Sequence, residues 1–400
     1  MALYSPSSSS VASLSEVSTA PTTPVAGEGP SGPPYVLVLG GLGFIGSHTA
    51  LELLKAGHNV VIVDDLSNSF SNVQNSIREA ATLSCSATGQ TMPSLKFHEM
   101  DYCSPGLALV LESYNISGVI HFAAFKSVSE SIASPLDYYM NNVCGLVSLL
   151  KLLGSYGIKK FVFSSSATVY GTKAEQGIPL REEDVVHHPL TYERDGETVT
   201  AIPGAMGLTS PYGRSKYFGE AILADLAYSD PSWNILALRY FNPIGCDASG
   251  LLGEDPRGVP TNLFPVLAQV LTGDRPQLEI FGSDWDTRDG TAVRDFIHVS
   301  DLARGHIAAL DAKVDEPFRT FNLGTGTGTT VSEALGALEA ASGRPIPAVR
   351  APRREGDVGS CVAANSRATT ELGWSTTESL RQSARDLWGF VSRVRAIRAI

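Results

Sequence analysis

Apolar residues first gather at Tyr35-Val36-Leu37-Val38-Leu39, after a Ser/Thr/Pro-rich stretch that ends at Pro33-Pro34. A near-continuous apolar run of this length is the pattern of a parallel strand buried on both faces, since neither face meets water. Glycines follow, and the spacing then turns helical from Phe44-Ile45 through Leu51, Leu53 and Leu54 to a stop at Gly57. Val60-Val61-Ile62-Val63 restores the strand pattern and completes a strand-helix-strand unit. The same alternation recurs at Gly118-Val119-Ile120-His121-Phe122, Lys160-Phe161-Val162-Phe163 and Ile235-Leu236-Ala237-Leu238. It predicts an α/β architecture, a Rossmann-like doubly wound parallel sheet with helices on both faces.

Beyond Phe241 the chain shifts to Pro/Gly-rich loops broken by short apolar segments, Leu278-Glu279-Ile280-Phe281 and Thr320-Phe321-Asn322-Leu323 among them. This predicts a smaller C-terminal substrate-binding α/β domain closing over the carboxyl edge of the sheet, where ligands of open α/β sheets bind. The expected division is a disordered tail at 1–34, a nucleotide-binding domain at 35–241 and a substrate domain at 242–400. The tail is too poor in large apolar side chains to offset the entropy of ordering it. Ala80 to Pro93, rich in Ser and Thr, and Glu182 to Gly207, polar with scattered glycines, read as surface insertions. No internal repeat is evident.

Composition narrows the function classes. The 400 residues are 43% hydrophobic, which suits a globular chain with a substantial core, and the formal net charge is -11. Nucleic-acid partners depend on clustered Lys and Arg, and no such block occurs, so none is expected. Cys85, Cys103, Cys144, Cys246 and Cys361 are odd in number, scattered and without a CxxC pair, the pattern of free thiols in a reducing compartment rather than of a metal site. No apolar run is long enough to span a bilayer. The first basic residue is Lys55, so a basic leader or transit segment is not expected, nor a membrane partner, and the location expected is cytoplasmic.

Two groups of residues carry candidate chemistry. Gly40-Gly41-Leu42-Gly43-Phe44-Ile45-Gly46 has GxxGxxG spacing directly after a strand and directly before a helix. Gly40 and Gly43 let the backbone turn and approach a pyrophosphate at the helix N-terminus, and Gly46 lets the helix pack close. Asp64 ends the second strand, where a carboxylate accepts from ribose hydroxyls and repels an additional phosphate, which favours NAD over NADP. Tyr212 and Lys216 form the second group, in Pro211-Tyr212-Gly213-Arg214-Ser215-Lys216. Four apart on a helix, they share one face. Drawing a phenol from about 10 to near neutrality takes on the order of 4 kcal/mol, within reach of an ammonium and a nicotinamide ring nearby in a dry site, and would make Tyr212 a base. YxxxK alone also occurs on many surface helices. Upstream, however, the strand ends in hydroxyls, Ser164-Ser165-Ser166-Ala167-Thr168, where Ser166 can hydrogen-bond a reacting oxygen and relay its proton. Serines at a strand end can also be plain turn formers.

With these motifs the chain closely resembles the UDP-galactose 4-epimerase family of extended short-chain dehydrogenase/reductases, from about Tyr35 to near the C-terminus. The match includes His121-Phe122-Ala123, Lys126, Tyr138-Tyr139-Met140-Asn141-Asn142, Arg239-Tyr240-Phe241-Asn242-Pro243, Gly253-Glu254-Asp255-Pro256, Val293-Arg294-Asp295-Phe296-Ile297-His298 and Ala351-Pro352-Arg353-Arg354-Glu355-Gly356-Asp357. The resemblance implies NAD as cofactor, a UDP-sugar as substrate and inversion at C4 through a 4-keto intermediate. It implies Tyr212 as base, Lys216 on the nicotinamide ribose and Ser166 on the sugar hydroxyl. Asp101 resembles the aspartate that meets the adenine ring, the bland alternative being a strand-end turn residue.

The resemblance further implies Phe44, Ile45, Asn68, Tyr102, Phe122, Ala123, Lys126, Asn141, Ser164 and Phe241 along the cofactor. Lys126, Thr168, Asn242, Asn262, Leu263, Arg294, Arg354 and Asp357 fall on the substrate side, the arginines offering charge-assisted forks to the diphosphate. Cys361 stands where the family carries a bulky Tyr in members restricted to UDP-glucose and UDP-galactose, and a small residue in members that also take the N-acetylated sugars. A homodimer formed through helices is implied as well. A 4,6-dehydratase would need an acid and a base where Ala167 and Thr168 stand. A 4-epimerase of UDP-glucuronate or a UDP-pentose, and a non-catalytic NAD-binding regulator, are the other readings.

Overall fold

The computed structural model describes residues 30–260, 262–354 and 357–398. Most of the expected tail, 1–29, lies outside the described residues.

Seven parallel strands form the central sheet. In chain order they are β1 (Tyr35–Leu39), β2 (Asn59–Asp64), β3 (Leu95–Glu99), β4 (Ile116–His121), β5 (Lys160–Ser166), β6 (Asn234–Tyr240) and β7 (Phe318–Leu323). Their spatial order is β7-β6-β5-β4-β1-β2-β3, so the winding reverses between β1 and β4. A crevice opens at such a switch point beyond the carboxyl ends of the strands. The runs Val36–Leu39, Val60–Asp64 and Ile235–Tyr240 are buried throughout, as the sequence pattern requires of strands covered on both faces.

One apolar cluster joins Val36, Val38, Leu51, Leu54 and Ile62 to Leu302, Leu310, Phe321 and Leu323. The helix Val299–Asp311 thus packs on the helix Phe44–Lys55, and β7 extends the sheet beside β6. The sheet therefore draws on residues from both sides of the expected boundary at 241.

The remainder of 242–398 gathers around a separate cluster including Phe264, Leu267, Leu278, Ile280, Phe296, Leu338 and Leu387. Here Leu278–Phe281 pairs parallel with Ala348–Ala351, and Val293–Arg294 pairs parallel with Ser360–Cys361.

The two stretches read as insertions have defined structure. Ala80 to Thr88 continues the helix Val73–Thr88, burying Ile77, Ala80, Ala81 and Cys85. Their three- and four-residue spacing makes a narrow apolar stripe that the surrounding Ser and Thr obscure. Gly89, at φ 69°, ends the helix in the left-handed region. Within 182–207, Leu190–Arg194 and Glu197–Ala201 form an antiparallel hairpin, turned by Asp195 and Gly196 at φ 54° and 84°. Asp-Gly is the pair that such a two-residue turn favours. Among the described residues no helix is long and apolar enough to cross a membrane.

Candidate active site

A cavity of about 930 Å³ runs along the carboxyl edge of the sheet and under the second cluster. At one end the chain leaves β1 through Gly40, whose φ of +74° lies in the left-handed region and whose Cβ, if present, would stand 2.7 Å from the amide nitrogen of Ala123. A Cβ on Gly46 would run into the carbonyl oxygen of Gly40, so the helix can sit on the loop only because Gly46 lacks one. Gly43 caps that helix without a side-chain partner, and its first turn carries no acidic residue. Gly43, Phe44, Ile45 and Gly46 line the cavity, so the positive end of the helix faces it, with the Gly43 amide donating to the Gly40 carbonyl at 3.4 Å.

Asp64 lies beside this loop. Its Oδ2 accepts from the amide of Leu42 at 2.9 Å, and its Oδ1 accepts from the amide of Leu66 at 2.9 Å and from Ser69 Oγ at 2.8 Å. The carboxylate therefore braces the glycine loop while lining the cavity together with Asn68, Met100 and Tyr102. Asp101 does not reach the cavity lining. Its side chain is exposed and accepts from the amide of Cys103 at 2.8 Å, which is the turn role.

Tyr102 donates to the carbonyl of Asn141 at 2.6 Å. Asn141 sits in a π-turn, Met140–Cys144, a feature frequent at functional sites. Its neighbour Asn142, given no role from sequence, accepts from the amide of Phe125 at 2.9 Å and donates to Ser215 Oγ at 3.0 Å. Asn142 thereby ties the segment bearing Lys126 to the helix bearing Tyr212. The doubled asparagine in the sequence was the available signal.

The helix Pro211–Ser229 starts under Ser210, whose hydroxyl accepts from the amide of Gly213 at 3.1 Å, with Pro211 in the first turn. This start turns Tyr212 and Lys216 toward the end of β5. Lys216 Nζ donates to the carbonyl of Ser164 at 2.7 Å and lies 5.9 Å from the centre of the Tyr212 ring. Ser166 stands beside the Tyr212 hydroxyl, favouring its ionised form, and its own Oγ accepts from the amide of Thr168 at 3.2 Å.

Burial dominates the titration of this pair. It holds the Tyr212 phenol above its ordinary value, against the hydrogen bond from Ser166. It also pushes Lys216 down to about 7, against the neighbouring charge of Glu220. The expected lowering of Tyr212 by Lys216 is thus absent from the protein alone, because both groups are desolvated together.

Ser164 and Tyr240 share a hydrogen bond between their hydroxyls. Thr168 lines the same cavity, and its Oγ1 is buried without a partner among the described residues. A buried hydroxyl left unpaired is costly, so a polar ligand atom beside it is the natural complement.

The opposite wall carries the cations. Arg294 donates to Asp357 Oδ1 at 3.3 Å, and Arg354 donates to Asp357 Oδ2 at 3.1 Å while stacking 4.6 Å from the centre of the Phe281 ring. Cys361 pairs in register with Arg294, and burial pushes its thiol up to about 11, so it stays neutral. Asn242, Asn262, Leu263 and Phe241 complete this wall, with Phe122 and Ala123 toward the glycine loop. Lys126 lies 3.6 Å from Glu254, whose carboxyl burial raises. Glu254 also lines the cavity, a role its place in a Gly-Glu-Asp-Pro turn did not disclose. Glu355 and Gly356 lie outside the described residues.

One continuous cavity thus offers a helix N-terminus with a braced carboxylate at one end and paired arginines at the other. A base-capable Tyr-Ser-Lys cluster lies between them. This donor set fits a dinucleotide whose diphosphate rests on the glycine loop, a second diphosphate at the arginines, and a hydroxyl-bearing carbon between.

Comparison with known proteins agrees with that geometry. Residues 36–324 match the model of the NAD dependent epimerase/dehydratase family. The chain is 46% identical over 359 residues to the UDP-glucose 4-epimerase of Homo sapiens, spanning 88% of this chain and 95% of that one. It is 44% identical over 361 residues to UDP-glucose 4-epimerase 2 of Arabidopsis thaliana, spanning 89% and 95%. Among solved structures, the UDP-glucose 4-epimerase of Bifidobacterium longum with NAD+ and UDP superposes with a TM-score of 0.77 at 41% identity, covering 90% of this chain and 98% of that one. That of Stenotrophomonas maltophila, with NAD and formylated UDP-arabinopyranose, gives 0.80 at 40% identity, covering 92% and 99%. The chain belongs to the NAD dependent epimerase/dehydratase family, in its UDP-glucose 4-epimerase branch.

Proposed function

We propose that this protein is an NAD-dependent epimerase that interconverts UDP-galactose and UDP-glucose at C4. The observation that carries the reading is the meeting of Tyr212, Ser166 and Lys216 in one cavity with the glycine loop and the Arg294–Asp357–Arg354 group. The residues that would hold NAD are Gly40, Gly43, Phe44, Ile45, Gly46, Asp64, Asn68, Tyr102, Phe122, Ala123, Lys126, Asn141, Ser164 and Phe241, with Tyr212 and Lys216 beside its reactive end. Bound there, NAD supplies a reversible hydride acceptor.

The remaining work falls to the chain. Tyr212 takes the proton of the C4 hydroxyl, with Ser166 beside it as relay, and later returns that proton to the C4 oxygen once the turned sugar presents the opposite face of C4 for reduction. Arg294, Arg354 and Asp357, with Asn242, Asn262 and Leu263, hold the UDP part while the 4-keto sugar turns about its diphosphate link. Thr168 offers its unpaired hydroxyl to the sugar.

Cys361 supports a wider substrate range, because a thiol leaves room for an acetamido group where a phenol ring would not. We therefore extend the reading to UDP-N-acetylglucosamine and UDP-N-acetylgalactosamine. A homodimer is supported by the helices Gly106–Ser113 and Gly145–Ser155, which bury Leu107, Leu111, Leu146 and Leu149 in one cluster and leave Leu109 and Val147 exposed. Cytoplasmic location is supported by the five free cysteines. The test is incubation with UDP-galactose, UDP-N-acetylgalactosamine and UDP-glucuronate separately, with product identification. Turnover of UDP-glucuronate alone, or of none, overturns the reading.

A further inference from the structure

Behind the Tyr-Ser-Lys cluster lies a set of buried charges that the mechanism above does not use. Glu220 and Arg239 are both 0% exposed. Arg239 grips the carboxylate with two nitrogens, Nε at 3.0 Å and Nη2 at 2.6 Å. Its remaining donors reach Tyr170 OH at 3.2 Å and the carbonyls of Glu182 and Val185 at 3.1 and 2.8 Å. His187 Nε2 lies 2.8 Å from Glu220 Oε2. A buried ion pair is weak evidence of stabilisation, since desolvation offsets much of the attraction, so its position asks for another account.

That position is specific. Glu220 stands one helical turn beyond Lys216 and two beyond Tyr212. Successive residues of a strand point to opposite faces. Ser164 and Ser166 accordingly reach the cavity, while Ser165 between them points away and donates to Glu220. Ser165 also pairs in register with Arg239 across β5 and β6.

We propose that Glu220, clamped by Arg239 and His187, is a positioning residue for the reaction: through Ser165 it fixes the end of β5 against the catalytic helix, and it sets a negative charge behind Lys216. The inference rests on the epimerase reading of this cavity. It follows from two anchors on one helix. Lys216 holds the Ser164 carbonyl and Glu220 holds the Ser165 hydroxyl, so the Ser166 hydroxyl and the Tyr212 hydroxyl can shift relative to one another only if one anchor breaks.

The charge has a second effect. The groups facing Lys216 are Tyr212 and Glu220 on its own helix and His121 from the end of β4, which burial keeps neutral by pushing it down to about 3. Glu220 is the member of that set that favours the ammonium. Without it Lys216 loses its proton at lower pH.

The test uses the holoenzyme with Ser165→Ala and with the charge-neutral pair Glu220→Gln/Arg239→Met. Each is measured for thermal midpoint, for kcat and KM on UDP-galactose across pH, and for the titration of Lys216 by NMR against a Lys216→Met control. Ser165→Ala is expected to lower kcat about tenfold with KM held within about twofold, the cost of slight misplacement of reacting groups. The double variant is expected to lose activity on the alkaline side at lower pH than wild type, with Lys216 giving up its proton at lower pH. A folded Ser165→Ala with kcat within about twofold of wild type overturns the positioning role. A folded double variant with unshifted pH profile and Lys216 titration overturns the electrostatic one. If the double variant does not fold, Ser165→Ala decides alone. If wild type epimerises no UDP-hexose, the functional reading fails, and the Lys216 titration still tests Glu220.

Discussion

Lys216 gives its hydrogen bond to the carbonyl of Ser164 at 2.7 Å, leaving the hydroxyl of Tyr212 to Ser166. The ammonium is therefore anchored to the strand end rather than to the phenol. Tyr212→Phe removes the proton acceptor while sparing both anchors. Turnover is expected to fall by about 10² to 10⁴, the range for loss of a general base, with NAD still bound. Steady-state kinetics and the cofactor content of the purified variant check this, and near-normal turnover would remove Tyr212 from the mechanism.

Gly46→Ala places a methyl group against the carbonyl oxygen of Gly40 and 2.9 Å from the Cα of Gly41. Backbone cannot rotate aside as a side chain does. The variant is expected to lose about 1–3 kcal/mol of stability and to retain NAD poorly. Denaturant titration and the absorbance ratio of the purified protein measure both, and unchanged values would mean that the loop yields freely.

Arg294→Ala is expected to raise KM for the UDP-sugar by about 10- to 100-fold, in line with a lost charge-assisted hydrogen bond, and to change kcat less. It also leaves Asp357 leaning on Arg354 alone. Calorimetric binding of UDP reads the loss without catalysis. Unaltered UDP affinity would move the diphosphate away from this wall.

Cys361→Tyr is expected to abolish turnover of the N-acetylated pair by clash with the acetamido group and to spare UDP-galactose. The comparison is kcat/KM on both pairs for wild type and variant. Equal loss on both, or a wild type indifferent to the N-acetylated sugars, would end the argument from pocket size.

His48, His121 and His306 are buried, and burial pushes them down to about 4, about 3 and about 4. Each takes up its proton more readily unfolded, where the value is 6.5, so the unfolded chain binds more protons across this window. Stability is therefore complete above pH about 6.5 and is lost as pH falls toward 4 and then 3. Thermal midpoints taken through that range should fall steadily, and a flat profile would contradict the burial of these rings.

Local periodicity made the early strands legible. Tyr35–Leu39, Asn59–Asp64 and Asn234–Tyr240 are apolar because both their faces are covered, and Gly40 and Gly46 follow from clashes that any Cβ would cause, whereas a Cβ on Gly43 would meet only the Gly40 carbonyl oxygen at 3.5 Å. Membership of β7 was less visible, because Asn322 puts a polar residue in a fully buried strand. It is tolerated there by donating to the carbonyls of Leu180 and Ala364 and accepting from Tyr170, partners remote in sequence. Glu220 was hidden for the same reason, since an acidic residue on a helix reads as solvated until Arg239 is seen beside it. Asp101 is a case of two readings from one motif position, of which the structure displays the turn, its side chain accepting from the amide of Cys103.

The late arrival of β7 bears on how the chain is made. β6 ends at Tyr240, and its sheet neighbour does not begin until Phe318. During synthesis, the ribosome releases the catalytic helix and six of the seven strands while one long apolar edge still lacks its cover. Newly made chains at that stage are open to pairing edge to edge with one another, and a fragment ending before Phe318 should aggregate rather than fold. Residues 242–317 of the substrate-binding half must be made before the sheet that binds the nucleotide can close, and the rest of that half, with Leu338, Arg354 and Cys361, follows β7.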